Sequence, residues 1–266
     1  MAERFSSSAI APVTYFVMKK ILVEICCGSI DDVIEAEAGG ADRVELCSAL
    51  YLGGLTPSLG TILEAKSGLK IPVMSMIRPR AGGFCYSEAE TASMERDADL
   101  AVANGADGLV FGILRPDGTV DIDRCRRILK RAGKGQTVFH RAFDVTPDPF
   151  AALDQIVDLG FTRILTSGQE DSALDALPFI RRLIEYAADR IEILPGGGIL
   201  PASIPDVVRQ TGCRQVHLTA FKTVADTSTQ ARPKVTFGGA LEPREDQFQV
   251  TDRELVRSIV DSGAGE

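Results

Sequence analysis

Short runs dense in β-branched and aliphatic residues recur along the chain, separated by stretches where apolar residues return every three or four positions. The short runs fall near 21–26, 42–47, 72–77, 107–111, 136–140, 162–166, 191–195 and 214–219, and the pattern predicts a strand at each. Stretches between them, such as 30–39, 87–104, 148–159 and 172–188, carry the helical period. Strands that alternate with helices pair in parallel through βαβ crossovers.

An internal echo sets the count. Gly40-Ala-Asp-Arg-Val-Glu, Gly105-Ala-Asp-Gly-Leu-Val, Gly160-Phe-Thr-Arg-Ile-Leu and Gly212-Cys-Arg-Gln-Val-His each close a helix and open a strand. Glycine suits the left-handed turn that ends a helix. The spacings of 65, 55 and 52 residues each accommodate two βα units, so eight strands are expected, enough to close a (β/α)8 TIM barrel. An open doubly wound sheet is the rival arrangement of the same elements. Met18-Lys19-Lys20 leads into the first strand, which predicts a single barrel domain over 19–266 and a flexible tail over 1–18.

Composition narrows the partners. The 266 residues include 45% hydrophobic and 25% charged positions, as expected of one large α/β domain. A net charge of −8 argues against nucleic acid or an anionic membrane as the main partner. No apolar run approaches the ~20 residues that span a bilayer, and the N-terminal segment lacks the basic start of a secretory signal. The six cysteines form no C-x-x-C pair, so reduced thiols in a cytoplasm are expected. Outer helices of such barrels often pair, and the irregular 227–250 segment adds surface, so a homodimer or larger homo-oligomer is anticipated.

Alternation along the strands then sorts the polar groups. In the first strand Glu24 and Cys26 share a face opposite Val23 and Ile25; in the second, Arg43, Glu45 and Cys47 lie opposite Val44 and Leu46. A carboxylate pressed against the helix layer without a partner would cost several kcal/mol, so Glu24 and Glu45 are expected to face the barrel axis. That phase carries Cys26 and Cys47 inward and turns Cys27 outward. Arg78 follows in phase with Met74 and Met76, the fifth strand runs into His140 and Asp144, and the eighth sets Gln215, His217 and Thr219 on one face. Both histidines of the chain therefore fall at C-terminal strand ends, where barrels of this class build their sites. Glu24, Glu45, Arg78, His140, Asp144 and His217 are the candidate catalytic groups, with histidine as general acid or base. An ion network that merely fills the barrel interior is the alternative for Glu24, Glu45 and Arg78.

Pro195-Gly196-Gly197-Gly198-Ile199 ends the seventh strand, and Thr166-Ser167-Gly168 ends the sixth. Loops at these places hold phosphate in many barrels, which makes Ser167, Gly168, Gly196, Gly197 and Gly198 an expected anion site. A crowded corner that needs glycine explains the triple glycine equally well.

Taken in order, Glu24-Ile-Cys26, Gly39-Gly-Ala-Asp-Arg-Val-Glu-Leu-Cys47-Ser, Gly53-Gly-Leu-Thr-Pro-Ser, Met76-Ile-Arg-Pro-Arg80, Ala106-Asp-Gly-Leu-Val-Phe-Gly112, Phe139-His-Arg-Ala-Phe-Asp144, Leu165-Thr-Ser-Gly168 and Pro195-Gly-Gly-Gly-Ile199 resemble the signature blocks of the CutC family. The resemblance spans about residues 21 to 220. It implies a (β/α)8 barrel, a cytoplasmic role in copper homeostasis, and copper(I) held through cysteines at the positions of Cys26 and Cys47. Soft thiolates suit copper(I), which accepts few ligands. The chain departs from the family pattern at Cys27-Gly28, where an apolar residue and an acid are usual, and at His217-Leu-Thr219, where a serine is more usual than the threonine. Two functions follow as expectations: a copper(I)-binding homeostasis protein, and a barrel enzyme working on a small anionic or phosphorylated metabolite by His/Glu acid–base chemistry.

Overall fold

The computed structural model describes residues 20–232, 234–235 and 247–264, so the tail expected over 1–18 lies outside the described residues. In chain order the elements are β1 (Leu22–Cys27), α1 (Ile30–Gly39), β2 (Arg43–Leu46), α2 (Leu59–Gly68), β3 (Val73–Met76), α3 (Glu88–Ala103), β4 (Gly108–Phe111), α4 (Ile122–Ala132), β5 (Gln136–Phe139), α5 (Pro149–Leu159), β6 (Arg163–Thr166), α6 (Leu177–Ala187), β7 (Glu192–Pro195), α7 (Ile204–Thr211), β8 (Gln215–Leu218), β9 (Phe221–Ala225), β10 (Gln247–Thr251) and α8 (Arg253–Ala264).

Helix ends follow local chemistry. Ser29, Ser58, Asp121 and Asp148 each accept a backbone N–H of the first turn, and Ser87 forms a capping box with Glu90. The four punctuating glycines all take the left-handed conformation, at φ 91° for Gly40, 92° for Gly105, 87° for Gly160 and 73° for Gly212. The helix expected over 172–188 is shorter than its pattern. Ser172 caps a separate 3-10 turn over Ala173–Asp175, and Pro178, which lacks an N–H, confines the α-helix to Leu177–Ala187.

The first eight strands form one parallel sheet in the order β7-β6-β5-β4-β3-β2-β1-β8, and a parallel bridge between Gly196 and His217 closes the ring. The fold is a single-domain (β/α)8 barrel, and the open doubly wound arrangement is excluded. Two apolar layers result. Val23, Ile25, Cys27, Val44, Leu46, Phe111 and Phe139 pack outward under the helices, whereas Cys26, Cys47, Met74, Met76, Val110, Val138, Leu165 and Leu194 fill the axis. The segment expected to be irregular over 227–250 runs into β10, which pairs antiparallel with β9 just before that segment, a hairpin built from the alternating Phe-Lys-Thr-Val-Ala and Gln-Phe-Gln-Val-Thr. Asp32 anchors it, accepting from Thr251 N at 2.6 Å with one oxygen and from Gly28 N at 2.9 Å with the other. The hairpin thereby stands over the C-terminal ends of β1 and β8. Among the described residues no helix is long and apolar enough to cross a membrane.

Candidate functional site

Strand register brings the ionisable groups together. Glu24 lies opposite Arg43 on β2 and opposite His217 on β8, and Cys26 lies opposite Glu45. Arg43 Nε donates to Glu24 Oε2, and Arg43 Nη2 donates to Gln215 Oε1 at 3.0 Å. The second Glu24 oxygen sits 2.8 Å from His217 Nδ1. On the other side of the imidazole, Nε2 is 3.9 Å from Glu45 Oε2, and that same oxygen lies 3.4 Å from Cys26 Sγ and 3.5 Å from Cys47 Sγ. An unbroken polar line thus runs from Arg43 near the barrel floor to two thiols at the strand tips.

Charge follows from this order. Burial would raise the Glu24 carboxyl, but Arg43 and then His217 outweigh it and bring it down to about 2. Burial pushes Glu45 the other way, to about 8, with His217 opposing and Cys26 and Glu24 adding to the rise. Cys26 falls to about 5, first because it takes a hydrogen bond from Cys47, and also because His217 lies near. Cys47, the donor of that bond and itself buried, moves well above its ordinary value. His217 resists the lowering effect of burial, since Glu45, Cys26 and Glu24 surround it, and stays well above 6.5. Near neutral pH the cluster therefore holds one thiolate, one thiol, an imidazolium, a carboxylate and a protonated carboxyl.

This cluster floors a cavity of about 490 Å³. Leu50, Met76, Phe84, Leu165 and Phe221 supply apolar wall, and Gln249 of the hairpin closes one side. Glycine makes room at two points. A Cβ on Gly54 (φ 78°) would lie 3.1 Å from Cys47 Sγ, and one on Gly112 would lie 2.7 Å from His140 Nδ1. Arg78 and His140 line the cavity but not the thiol cluster. Arg78 donates to the carbonyls of Leu52 (2.9 Å), Gly54 (3.0 Å) and Gly82 (2.7 Å). His140 Nδ1 accepts from Ala142 N at 3.2 Å, which leaves the ring proton on Nε2, and burial with the nearby Arg78 charge lowers its pKa to about 3.

The other expected site residues do not line the cavity. Asp144 accepts from Thr166 Oγ1 at 2.5 Å, from Ser167 N at 2.9 Å and from Arg141 Nε at 2.9 Å, binding two loops together. A Cβ on Gly168 would meet Ala176, and one on Gly198 would meet Ser172, so these glycines back onto the neighbouring loop. Gly196 lies against Leu165 and His217, and Gly197 against Arg141 and Ser167. Their combined effect is to hold Arg141, which does reach the cavity wall. Sequence reasoning missed Arg43 as the partner of Glu24, although the alternation that turned Glu45 inward applies equally to Arg43. It also missed Arg141, for which no periodic signal exists, and the hairpin residues, although Phe-Lys-Thr-Val-Ala and Gln-Phe-Gln-Val-Thr alternate as strands do.

A parallel barrel that gathers two thiols, two carboxyls and an imidazole at its strand tips defines the class. The chain belongs to the CutC family, whose model matches residues 21–222. A CutC family protein of Treponema denticola is 49% identical over 245 residues, covering 92% of this chain and all of the relative. A human protein named copper homeostasis protein cutC homolog is 43% identical, covering 90% of this chain and 87% of its own length. The crystal structure of a CutC from Streptococcus agalactiae superimposes with a TM-score of 0.72 at 40% identity, covering 75% of this chain and 98% of that one.

Proposed function

We propose that the protein serves copper homeostasis in the cytoplasm by holding copper(I) between Cys26 and Cys47. One observation carries this reading: the two sulfurs and a Glu45 oxygen all lie within 4.8 Å of one another at the foot of an open cavity. Two thiolates are a donor set that copper(I) prefers over harder ions. The residues present therefore fit the ion. All six cysteines are unpaired, in keeping with a reducing compartment.

Anaerobic competition for copper(I) against a chromophoric chelator tests the proposal. The wild type and a Cys27→Ser control should bind alike, because Cys27 packs in the outer layer. Cys26→Ser and Cys47→Ser should each weaken binding by about 100-fold or more, since loss of a group that merely orients a ligand already costs about 10–100-fold. Equal affinity in all four proteins would end the copper reading.

The Glu24–His217–Glu45 line favours a second reading, acid–base chemistry on a small anionic metabolite. His217 is oriented through Nδ1 by Glu24 and presents Nε2 toward Glu45, the arrangement of an oriented general acid. Turnover abolished in Glu45→Gln but copper binding left intact would support this reading over the first.

A further inference from the structure

We propose that the part of the cavity wall around Phe84 is a binding site for the carboxylate of a small organic acid, received by Arg78 and His140. The inference concerns binding alone and stands whether or not the His217 line performs chemistry.

Arg78 is 5% exposed, yet among the described residues no carboxylate lies within ion-pair distance of it. Its Nη atoms are occupied by three backbone carbonyls, which satisfy hydrogen bonds but supply no opposite charge. The Phe84 ring at 5.3 Å gives it a cation–π contact, a partial offset. Among the described residues Nε has no hydrogen-bond partner. A buried cation without a counter-charge costs several kcal/mol, and evolution seldom leaves one in place without use.

His140 has the same defect at the same wall. It is 4% exposed, and its Nε2, which carries the proton because Ala142 N–H already occupies Nδ1, has no partner among the described residues. An unsatisfied buried donor costs about 1–3 kcal/mol. The ring is also pinned, packed at 4.9 Å and a 56° tilt against Phe84 and held close by Gly112, so it does not turn away to find another acceptor. Phe84 thus lies against both groups.

A metal ion does not answer these needs. β5, which runs into His140, lies half-way round the barrel from β1, which carries Cys26, so an ion at the thiols leaves that donor unmet, and the Arg78 guanidinium is itself a cation that repels a metal ion. The cavity is also far larger than an ion, at about 490 Å³, within the range that takes small organic ligands. The donor count chooses among anions. One guanidinium N–H and one imidazole N–H match the two oxygens of a carboxylate, whereas a phosphate would leave most of its oxygens facing Phe84, Met76 and Leu165. Those apolar walls suit an organic body, and Arg141 near the rim adds long-range attraction for the negative charge.

The test is a titration of copper-free, reduced protein with acetate, butyrate and 4-phenylbutyrate, followed by the side-chain nitrogen resonances of its two histidines. The neutral alcohol 4-phenyl-1-butanol and inorganic phosphate are run alongside. Saturable shifts at His140 Nε2 are expected with the carboxylates, and 4-phenylbutyrate should bind at least about tenfold tighter than the alcohol, as a charged hydrogen bond implies. His140→Phe should remove about tenfold of that affinity, and His140→Gln, which keeps an N–H donor, should recover part of it. Arg78→Met should remove more, read only if its circular dichroism matches the wild type, since Arg78 also ties three loop carbonyls. Equal binding of acid and alcohol, preference for phosphate, no saturable binding of any carboxylate, or undiminished binding in His140→Phe would each overturn the proposal. Copper(I) affinity in His140→Phe should stay that of the wild type, which separates this site from the thiol site.

Discussion

Arg43→Met is the perturbation whose size the geometry sets most directly. Arg43 and Glu24 are 3% and 1% exposed, so neither charge has water as an alternative partner. Glu24 titrates at about 2 where 4.5 is ordinary, which corresponds to about 3 kcal/mol of preference for its ionised form in the folded state. Removing the guanidinium leaves that carboxylate with His217 and the weaker pull of Arg163, and loss of one member of a buried pair costs about 3–5 kcal/mol. Such a loss is a large part of the ~5–15 kcal/mol that stabilises a typical domain. The pH dependence has a defined sign. A carboxyl held below its unfolded value contributes stability above about 4.5 and loses it as pH falls toward about 2. The gap between wild type and Arg43→Met should therefore be widest near pH 7 and narrow steadily below pH 4.5. Urea unfolding followed by circular dichroism at several pH values measures it. A second variant, Arg43→Met with Glu24→Gln, should be less destabilised than the sum of the two single changes, because the orphaned charge is gone. A loss under about 1 kcal/mol at pH 7, or a gap that does not change with pH, would refute the reasoning.

Three further outcomes follow from particular contacts. In a Cys85→Ser background, which removes the exposed thiol, Cys26 should react with iodoacetamide at nearly the same rate at pH 6 and pH 8, because it is already ionised above about 5. N-acetylcysteine measured in parallel should speed up by well over tenfold across that interval; the same steep rise in Cys26 would contradict the thiolate assignment. Gly108→Ala should cost about 1–3 kcal/mol by overpacking, since its Cβ would fall 2.2 Å from Met74 Cε and 2.5 Å from the Gln136 carbonyl oxygen. Met74→Ala should relieve only part of that loss, because the carbonyl remains; a thermal melt of the single and double variants decides. Asp144→Asn should lower stability by about 2 kcal/mol, as one acceptor oxygen becomes a donor facing Thr166, Ser167 or Arg141, and hydrogen exchange should rise first at the Ser167 and Gln169 amides.

The barrel was legible because its rules are local. Apolar runs mark each strand to within a residue or two, and the glycines that end the helices before β2, β4, β6 and β8 count the units in pairs. Two-residue alternation also set Glu24, Cys26, Glu45, Cys47 and His217 on inward faces, since an inward carboxylate is the only affordable one when helices cover the outside. The shortened α6 shows where the rule needed a finer reading of Pro178.

Alternation says which face a side chain takes, and nothing about which strand end stands beside which. That Arg43 meets Glu24, that Glu24 meets His217 from the far end of the chain, and that Glu45 sits between two sulfurs depend on the stagger of neighbouring strands and on closure through Gly196 and His217. The placement of Asp144 is likewise tertiary: two loops compete for its oxygens, and the cavity goes without them. Arg78 and His140 stand apart from the thiol group for the same reason, since the chain beyond β3 and β5 brings both against Phe84. The order of residues made the barrel and chose its inward faces; closure of the ring decided which inward groups became partners and which were left waiting for one.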